Sequence, residues 1–404
     1  MVPDGWEHVR LDSIAKTVTS GSRDWAKYYS ERGSKFIRMT NLTRDGIYLK
    51  LDDLKYVDVK SNSSDGKRTS LKAGDLLISI TAELGKIGWV PEGLGVAYIN
   101  QHTALVRLKE NKSDSKFIAY LLSSKMMNHK INRLNDSGAK AGLNLTTIRS
   151  IPFELPPLPE QQKIAQTLST WDKVISTTER LIDNSKQQKK ALVQQLLTGK
   201  KRLLDVAGNP FEDGWKEVKL SEIAHITMGS SPRSVAYNEV NDGLPLLQGN
   251  ADIKNRKSAP RIHTSEITKE CCIGDILLSV RAPVGTVAIS FHNACIGRGI
   301  AAIKSRANHC QNFLYQWLLA FEAKWERYSQ GSTFEAVNSN DIKSLRIKIP
   351  GEAEQQKITS VLTNADNEIE LLEQQLADLK QEKKALMQQL LTGKRRVKIK
   401  IEAA

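Results

Sequence analysis

From residue 5 to about 155 the chain sets short apolar, β-branched runs between Gly, Asn and Ser. Phe36-Ile37-Arg38-Met39, Leu76-Leu77-Ile78-Ser79-Ile80 and Thr103-Ala104-Leu105-Val106-Arg107-Leu108 are the clearest, and they predict strands. One helical stretch is expected near 115–134. From Glu160 the pattern changes, with no Pro or Gly until Gly199. Apolar residues then recur at alternating steps of four and three: Ile164, Leu168, Trp171, Ile175, Ile182, Leu192 and Leu196. A second such stretch carries Ile358, Leu362, Ala365, Ile369, Leu372, Leu376, Leu379, Leu386 and Leu390. A ~3.5-residue period held for about five heptads is a coiled-coil seam. Thr178, Ser185, Lys189 and Lys383 occupy seam slots; Ser185 and the two lysines weaken it and can fix its register. Pro156-Pro157-Leu158-Pro159 and Pro350-Gly351 end the preceding strands and set the helix starts, while Gly199 and Gly393 stop the helices beside Lys and Arg.

These two stretches are copies. Glu-Gln-Gln-Lys-Ile stands at 160–164 and at 354–358, and Lys-Lys-Ala-Leu-x-Gln-Gln-Leu-Leu-Thr-Gly-Lys at 189–200 and 383–394, both at an offset of 194. Residues 160–202 and 354–396 agree at 23 of 43 positions. The repeat extends upstream more weakly: Gly5-Trp6 through Ala15 matches Gly214-Trp215 through Ala224, Gly74–Ser79 matches Gly274–Ser279, and Asn144 with Ile148 matches Asn338 with Ile342. The chain is a tandem of two halves, about 5–202 and 214–396, and the fold class expected is α+β: two mixed, mostly β domains separated by an antiparallel two-helix coiled coil. The antiparallel arrangement follows from reach. Each helix of ~40 residues is roughly 60 Å long, whereas Lys201–Gly214 spans at most roughly 45 Å, so the second domain begins near the far end of the first helix and its own helix runs back. Two independent helical tails are the competing arrangement.

Composition narrows the function. With 404 residues, 40% hydrophobic and 26% charged, the chain is long enough for two cores and is not a disordered polycation. Lys and Arg number 59 against 45 Asp and Glu, and this +14 balance points to an anionic partner, nucleic acid being the commonest. The four cysteines, at 271, 272, 295 and 310, form no disulfide framework, and the opening Met-Val-Pro-Asp-Gly-Trp-Glu has no signal-peptide pattern; a reduced, cytoplasmic setting is expected. Ile273–Phe291 contains Asp275 and Arg281 and is not a membrane span.

Catalytic constellations are missing from this reading. No phosphate loop occurs, and Gly297-Arg298-Gly299 and Gly93-Leu94-Gly95 lack the third glycine of a dinucleotide fingerprint. Asn209-Pro210-Phe211 is one proline short of an adenine-methylation loop and reads as a turn. The cysteines lack zinc-site spacing, and Glu322-Ala323-Lys324 has nuclease-like spacing without a preceding catalytic Asp. No metal site is expected.

Two globular domains, each followed by a long helix that opens on Glu-Gln-Gln-Lys-Ile and closes on Lys-Lys-Ala-Leu-x-Gln-Gln-Leu-Leu-Thr-Gly-Lys, with Gly-Trp at each domain start, resemble the specificity subunit of type I restriction-modification systems. The resemblance covers essentially the whole chain; the second copy differs in carrying Ile349-Pro350-Gly351-Glu352-Ala353 in place of Pro-Pro-Leu-Pro. It implies a cytoplasmic, non-catalytic, double-stranded-DNA-binding subunit whose two target-recognition domains each read half of a bipartite, asymmetric site. It also implies that the helices set the spacer and dock two adenine-N6 methyltransferase subunits. S-adenosylmethionine would belong to those partners, and ATP and Mg to partner restriction subunits that translocate and cut. The expected organisation is a first recognition domain 1–155, first long helix 156–202, linker 203–213, second recognition domain 214–349, second long helix 350–396 and basic tail 397–404. The rival reading is a non-catalytic scaffold binding RNA or protein through a coiled-coil spacer.

Base reading needs Arg or Lys for guanine and Asn or Gln for adenine, presented from loops. The candidates in the first half are Ser20, Ser22, Arg23, Lys27, Arg38, Asn41, Lys86, Gln101, His102, Lys140 and Asn144. In the second half they are Ser230, Ser231, Arg233, Tyr237, Gln248, Asn250, Arg281, Arg298 and Asn338. Asn144 and Asn338 have a competing reading as helix caps. Lys200-Lys201-Arg202 and Lys394-Arg395-Arg396 suit either phosphate or the helix dipole. Leu181, Val193, Leu371 and Met387, outside the seam, are candidates for a methyltransferase contact.

Overall fold

The computed structural model describes residues 2–23, 25–59, 63–134, 142–329 and 336–398. It divides into two units, Met1–Glu179 with Gln375–Ala404, and Arg180–Gln374, so each unit contains part of both long helices.

In the first unit Ala15–Ser20, Thr103–Leu108, Leu76–Ser79 and Ile87–Trp89 form an antiparallel sheet in that order. A second sheet runs Tyr29–Ser30, Lys55–Val57, Ser34–Ile37 and Ala97–Ile99, the last pair parallel. Leu76–Ser79 is buried along its whole length because both of its faces are covered. Leu76 and Ile78 pack with Phe117 and Tyr120, while Leu77 packs with Ile37 and Leu105 on the other side. Burial on both faces explains why this stretch reads as a continuous apolar run instead of an alternating one. The helical stretch expected at 115–134 is two helices, Ser115–Ser123 and Lys125–Arg133. The break falls at Ser124, whose hydroxyl accepts from the Met127 N–H at 3.3 Å and caps the second helix.

The second unit repeats the plan with additions. Ala224–Met228, Ile300–Ser305, Ile276–Ser279 and Val287–Ile289 are extended by Lys257–Ser258 and Ile253–Lys254. The other sheet runs Tyr237–Asn238, Ile262–Thr264, Leu244–Leu247, Ala294–Ile296 and Glu270–Cys271. A single helix, Gln311–Ser329, replaces the broken pair. In each unit a two-stranded ribbon joins the start of the half to the strand before the long helix: Glu7–Arg10 with Pro152–Leu155, and Lys216–Lys219 with Arg346–Ile349.

The long helices span Leu158–Leu196 and Glu352–Leu390. Within the first unit Glu160 pairs with Arg396, Asp172 with Lys383 and Glu179 with Lys380, so one helix descends as the other rises. Within the second unit the same set recurs, with Glu354 on Arg202, Asp366 on Lys189 and Glu373 on Lys186. The pairing is antiparallel in both. The lysines that interrupt the apolar seam are therefore the register markers. Lys383 and Asp172 are 12% and 16% exposed, and Asp172 also accepts from the Tyr120 hydroxyl, whose proton is held more tightly by burial and by this carboxylate. Seam positions Ile164, Leu168, Ile182, Leu196, Ile358, Leu362 and Leu390 are buried; Trp171, Ile175, Leu192, Ile369, Leu372, Leu376, Leu379 and Leu386 are half-buried.

The recurring motifs interlock. Glu160 is 1% exposed and accepts from Arg396 Nε at 2.6 Å and Nη2 at 2.7 Å, and from Trp6 Nε1 at 3.3 Å. The remaining arm of Arg396 donates to the Asp4 carbonyl at 2.7 Å. Gly393 has φ +69°, and a Cβ there would lie 2.5 Å from Pro3, so the helix stop also seats the start of the half. Gln161, buried, accepts from the Asp114 N–H at 2.9 Å and donates to the carbonyls of Pro156 at 2.8 Å and Lys112 at 3.2 Å. In the second unit Arg202 grips Glu354, and Gln355 accepts from the Cys310 N–H at 2.9 Å and donates to the Pro350 carbonyl at 2.9 Å. Arg202 and Arg396 are thus engaged by buried carboxylates, which corrects their reading as phosphate or dipole partners.

Two stability effects follow. Lys383→Ala strands Asp172 in a half-dry seam and should cost about 2–4 kcal/mol in denaturant unfolding. Combining it with Asp172→Ala should cost less than the sum of the single changes. Glu160→Ala, which leaves three donors unpaired, should cost about 3–5 kcal/mol and raise amide exchange selectively over 390–398.

Candidate nucleic-acid interface

The register of the sheets places one set of loops together in each unit. In the first, Ala15–Ser20 ends, Thr103–Leu108 begins and Leu76–Ser79 ends at the same edge, because Ser20 is opposite Ala104 and Ser79 opposite Thr103. Ile37 is level with Ile99, which brings Arg38 and Asn100 to that edge too. In the second unit Met228, Ala301, Ser279 and Ile300 are matched in the same way, and Leu247 is level with Ile296. The loops at 20–23, 38–41, 80–86, 100–102 and 142–144, and their counterparts at 229–233, 248–252, 280–286, 297–299 and 336–338, form one rim per unit. Nearly all of the candidate readers lie on these rims, while Lys27 and Tyr237 stand a few residues beyond the first loops.

Several are exposed and loosely held. Arg23 and Lys27 are exposed, with Lys27 Nζ 5.0 Å from the Tyr28 ring centre. Arg281 is exposed beside the bridge to Ala336, and Arg298 is exposed at a turn tip. Arg233 is 81% exposed and donates from Nε to Glu266 at 3.0 Å, and its side-chain and backbone N–H groups hold that carboxyl below its ordinary range. Ser230 is exposed and Ser231 half-buried. Gln101 and His102 are half-buried, linked at 3.1 Å, and His102 Nδ1 lies 2.8 Å from Thr81 Oγ1. Lys86 pairs with Glu83 at 2.5 Å. Gln248 is half-buried, its N–H donating to Asp252 at 2.8 Å, and Asn250 lines an open depression of about 420 Å³ with Arg256 and Glu322. Tyr237 donates its hydroxyl to the Pro232 carbonyl at 3.1 Å.

Others serve the frame. Asn41 is 1% exposed; its Oδ1 accepts from the Arg38 N–H at 2.9 Å and its Nδ2 donates to the carbonyls of Lys50 and Asp53. Its expected base contact is corrected: the amide is committed to folding the rim. Arg38 donates to the Asp53 carboxylate at 2.8 Å and carbonyl at 3.0 Å. Asn144 and Asn338 cap Leu145–Arg149 and Ser339–Lys343, the first by accepting from the Thr147 N–H at 2.8 Å, the second in a capping box with Asp341. Lys140 lies outside the described residues. Ser22 is 5% exposed, donating to Asp65 and accepting from Arg68 Nη2 at 2.6 Å, while Arg68 also grips the Ser20 carbonyl at 3.1 Å. The Ser22 hydroxyl, with Arg68, lowers the Asp65 carboxyl below its usual value.

Two rim cations escaped the sequence reading. Arg68 stands on the short helix Ser64–Thr69 with no loop signature, and Arg261, 58% exposed, is aimed by the buried carboxylate of Asp252 at 2.8 Å. Only the fold brings either to its rim. The Glu322-Ala323-Lys324 string is explained without catalysis: Glu322 pairs with Arg256 and accepts from the Val287 N–H at 2.7 Å, and Lys324 lies over Phe321. Burial raises the Cys271 thiol. Among the described residues no group of three or more His, Cys, Asp or Glu is placed to hold a metal, and no helix is long and apolar enough to cross a membrane.

The family model for the type I restriction modification DNA specificity domain matches residues 3–186 and again 212–381. The chain is 32% identical to the MjaX specificity subunit of a type I restriction enzyme from Methanocaldococcus jannaschii, an alignment that spans 98% of this chain and 95% of that protein. It is 23% identical to the EcoBI specificity subunit of Escherichia coli over 88% of this chain and 78% of that one. In fold it is similar to the crystal structure of the HsdS subunit from Thermoanaerobacter tengcongensis, at a TM-score of 0.56, 24% identity and 98% of each chain covered. It is also similar to the S subunit of the type I restriction-modification system from M. genitalium, at a TM-score of 0.61 and 15% identity over 96% of this chain and 99% of that one.

Frame and rim residues separate by experiment. Asn41→Ala should lower stability by about 1–3 kcal/mol without changing the salt dependence of duplex binding. Arg23→Ala should leave stability within about 0.5 kcal/mol and reduce the salt slope by roughly one.

Proposed function

The chain belongs to the family of type I restriction-modification DNA specificity subunits, and from that membership we propose that each of its two units reads one part of a bipartite, asymmetric duplex site. The family match over both halves carries this reading, and the paired rims support it: the same frame is built twice and furnished with different side chains. Asymmetry of the site follows from that difference. The chain supplies recognition, and the chemistry belongs to its partners in the complex. The long helices, 39 residues each, set the unread spacer. At ~1.5 Å per residue each is longer than one ~34 Å turn of B-DNA, so the two recognised segments are separated along one duplex.

Two methyltransferase subunits dock on the helices and methylate adenine N6, using S-adenosylmethionine bound in those partners; restriction subunits supply ATP- and Mg-dependent cleavage. Leu371, 71% exposed, and Leu181, 47% exposed, lie outside the seam and suit such docking. Val193 and Met387, proposed from sequence for the same contact, are instead packed against the cores of their own units.

Gel shifts of the purified chain, with and without a co-expressed modification subunit, test the assignment. Duplex binding should weaken with salt in proportion to the phosphates contacted, ~0.9 in log–log slope for each, and should become site-specific with the partner present. Preference for RNA, or adenine methylation by the chain alone, would overturn it.

A further inference from the structure

The turns at 100–102 and 297–299 are built alike. Each leaves a strand of one sheet, Ala97–Ile99 or Ala294–Ile296, and enters a strand of the other, Thr103–Leu108 or Ile300–Ser305. Thr103 N–H closes the first turn on the Asn100 carbonyl at 3.2 Å, and Ile300 N–H closes the second on Gly297 at 3.1 Å. Ile80 N–H donates to the His102 carbonyl at 3.1 Å, and Val280 N–H to Gly299 at 2.9 Å. The tips are therefore equivalent positions on an equivalent frame. One carries Gln101 and the other Arg298.

Each tip side chain is held by one of its groups and leaves a different pair. Arg298 donates from its backbone N–H and from Nε to Ser231 Oγ, at 3.2 and 3.3 Å. Its two terminal nitrogens have no hydrogen-bond partner among the described residues and form a coplanar fork of two donors. The turn beneath is packed hard: a Cβ on Gly299 would lie 2.2 Å from the Gln248 carbonyl, and Gly297 N–H donates to Leu247 at 2.8 Å. Gln101 Nε2 lies 3.1 Å from His102 Nε2, and His102 Nδ1 lies 2.8 Å from Thr81 Oγ1. In the tautomer that places the ring proton on Nδ1, Nε2 accepts from the Gln101 amide. That amide keeps one N–H and its carbonyl oxygen, a donor beside an acceptor.

Two parallel donors complement guanine O6 and N7, whereas one acceptor and one donor complement adenine N6–H and N7. Building on the duplex-recognition reading above, we propose that the two turn tips are equivalent base readers of different specificity, Arg298 taking a guanine in one part of the site and Gln101 an adenine in the other. Ser231 and His102 act as positioning residues.

The test uses the full chain co-expressed with its modification subunit in a host without other such systems, with the recognised site read by sequencing of methylated adenine. Arg298→Gln should change one required guanine to adenine and leave the other part of the site untouched; Gln101→Arg should do the reverse in the other part. Arg298→Ala should relax that guanine by roughly 5- to 150-fold in selectivity, the range for loss of one bidentate contact. Ser231→Ala should relax the same position while affinity for mixed duplex is retained. Should a variant fail to assemble, Arg298→Met, which keeps the reach of the side chain but neither its charge nor its donors, should give the same loss of guanine selectivity. Sites unchanged base for base in assembled Arg298→Gln and Gln101→Arg, or a uniform fall in methylation at all sites, would overturn the proposal while leaving duplex recognition intact. A wild-type complex that neither binds duplex nor yields a site would overturn the recognition reading, and this proposal with it.

Discussion

A carboxylate buried without a partner is untenable, and this molecule buries one at the start of each long helix. Glu160 and Glu354 are 1% exposed, and what makes them tolerable is an arginine that reaches each from just beyond the end of the other long helix. The requirement fixes register more sharply than the apolar seam does, since sliding one helix by a turn would leave the carboxylate dry and unpaired. Lys383 with Asp172, and Lys189 with Asp366, impose the same register further along. Each core then closes over both helices: Ile164 and Leu168 join Leu390 and Leu391 in the first unit, and Leu196 and Leu197 join Ile358 and Leu362 in the second.

On this fixed base the rims can vary. The central strands beneath them, Leu76–Ser79 and Ile276–Ser279, are buried along their whole length and tolerate little change in volume, but a turn tip is tied down by backbone hydrogen bonds that do not depend on its side chain. Gln101 and Arg298 occupy the same kind of place under the same ties. The frame is held by buried groups such as Asn41 and Gln161, whereas the side chains at the turn tips can be exchanged without opening a core.

The sequence makes the long helices, the internal repeat and the loops between the strands legible because each is a local pattern. The seam needs only spacing, the repeat only comparison, and the loops only Gly, Ser and Asn between apolar runs. It does not show why Glu-Gln-Gln and Thr-Gly-Lys recur, because the reason is a partner 236 residues away in one case and 152 in the other. Asn41 looks like a reader in a loop and is a strut, since one buried amide cannot be told from one exposed amide by neighbours alone. The break at Ser124 is a capping event inside a stretch whose apolar periodicity continues across it. Arg68 and Arg261 owe their positions to tertiary contacts with Ser20 and Asp252.

The division of the chain has a temporal side. Arg180–Gln374 is one uninterrupted stretch, whereas the other unit unites residues up to Glu179 with those from Gln375 onward. During synthesis the later-made unit has all of its parts as soon as that stretch leaves the ribosome. The earlier-made one must wait, its apolar helix face uncovered, until Leu390 and Leu391 arrive. The first reader to be translated is therefore the last to be finished.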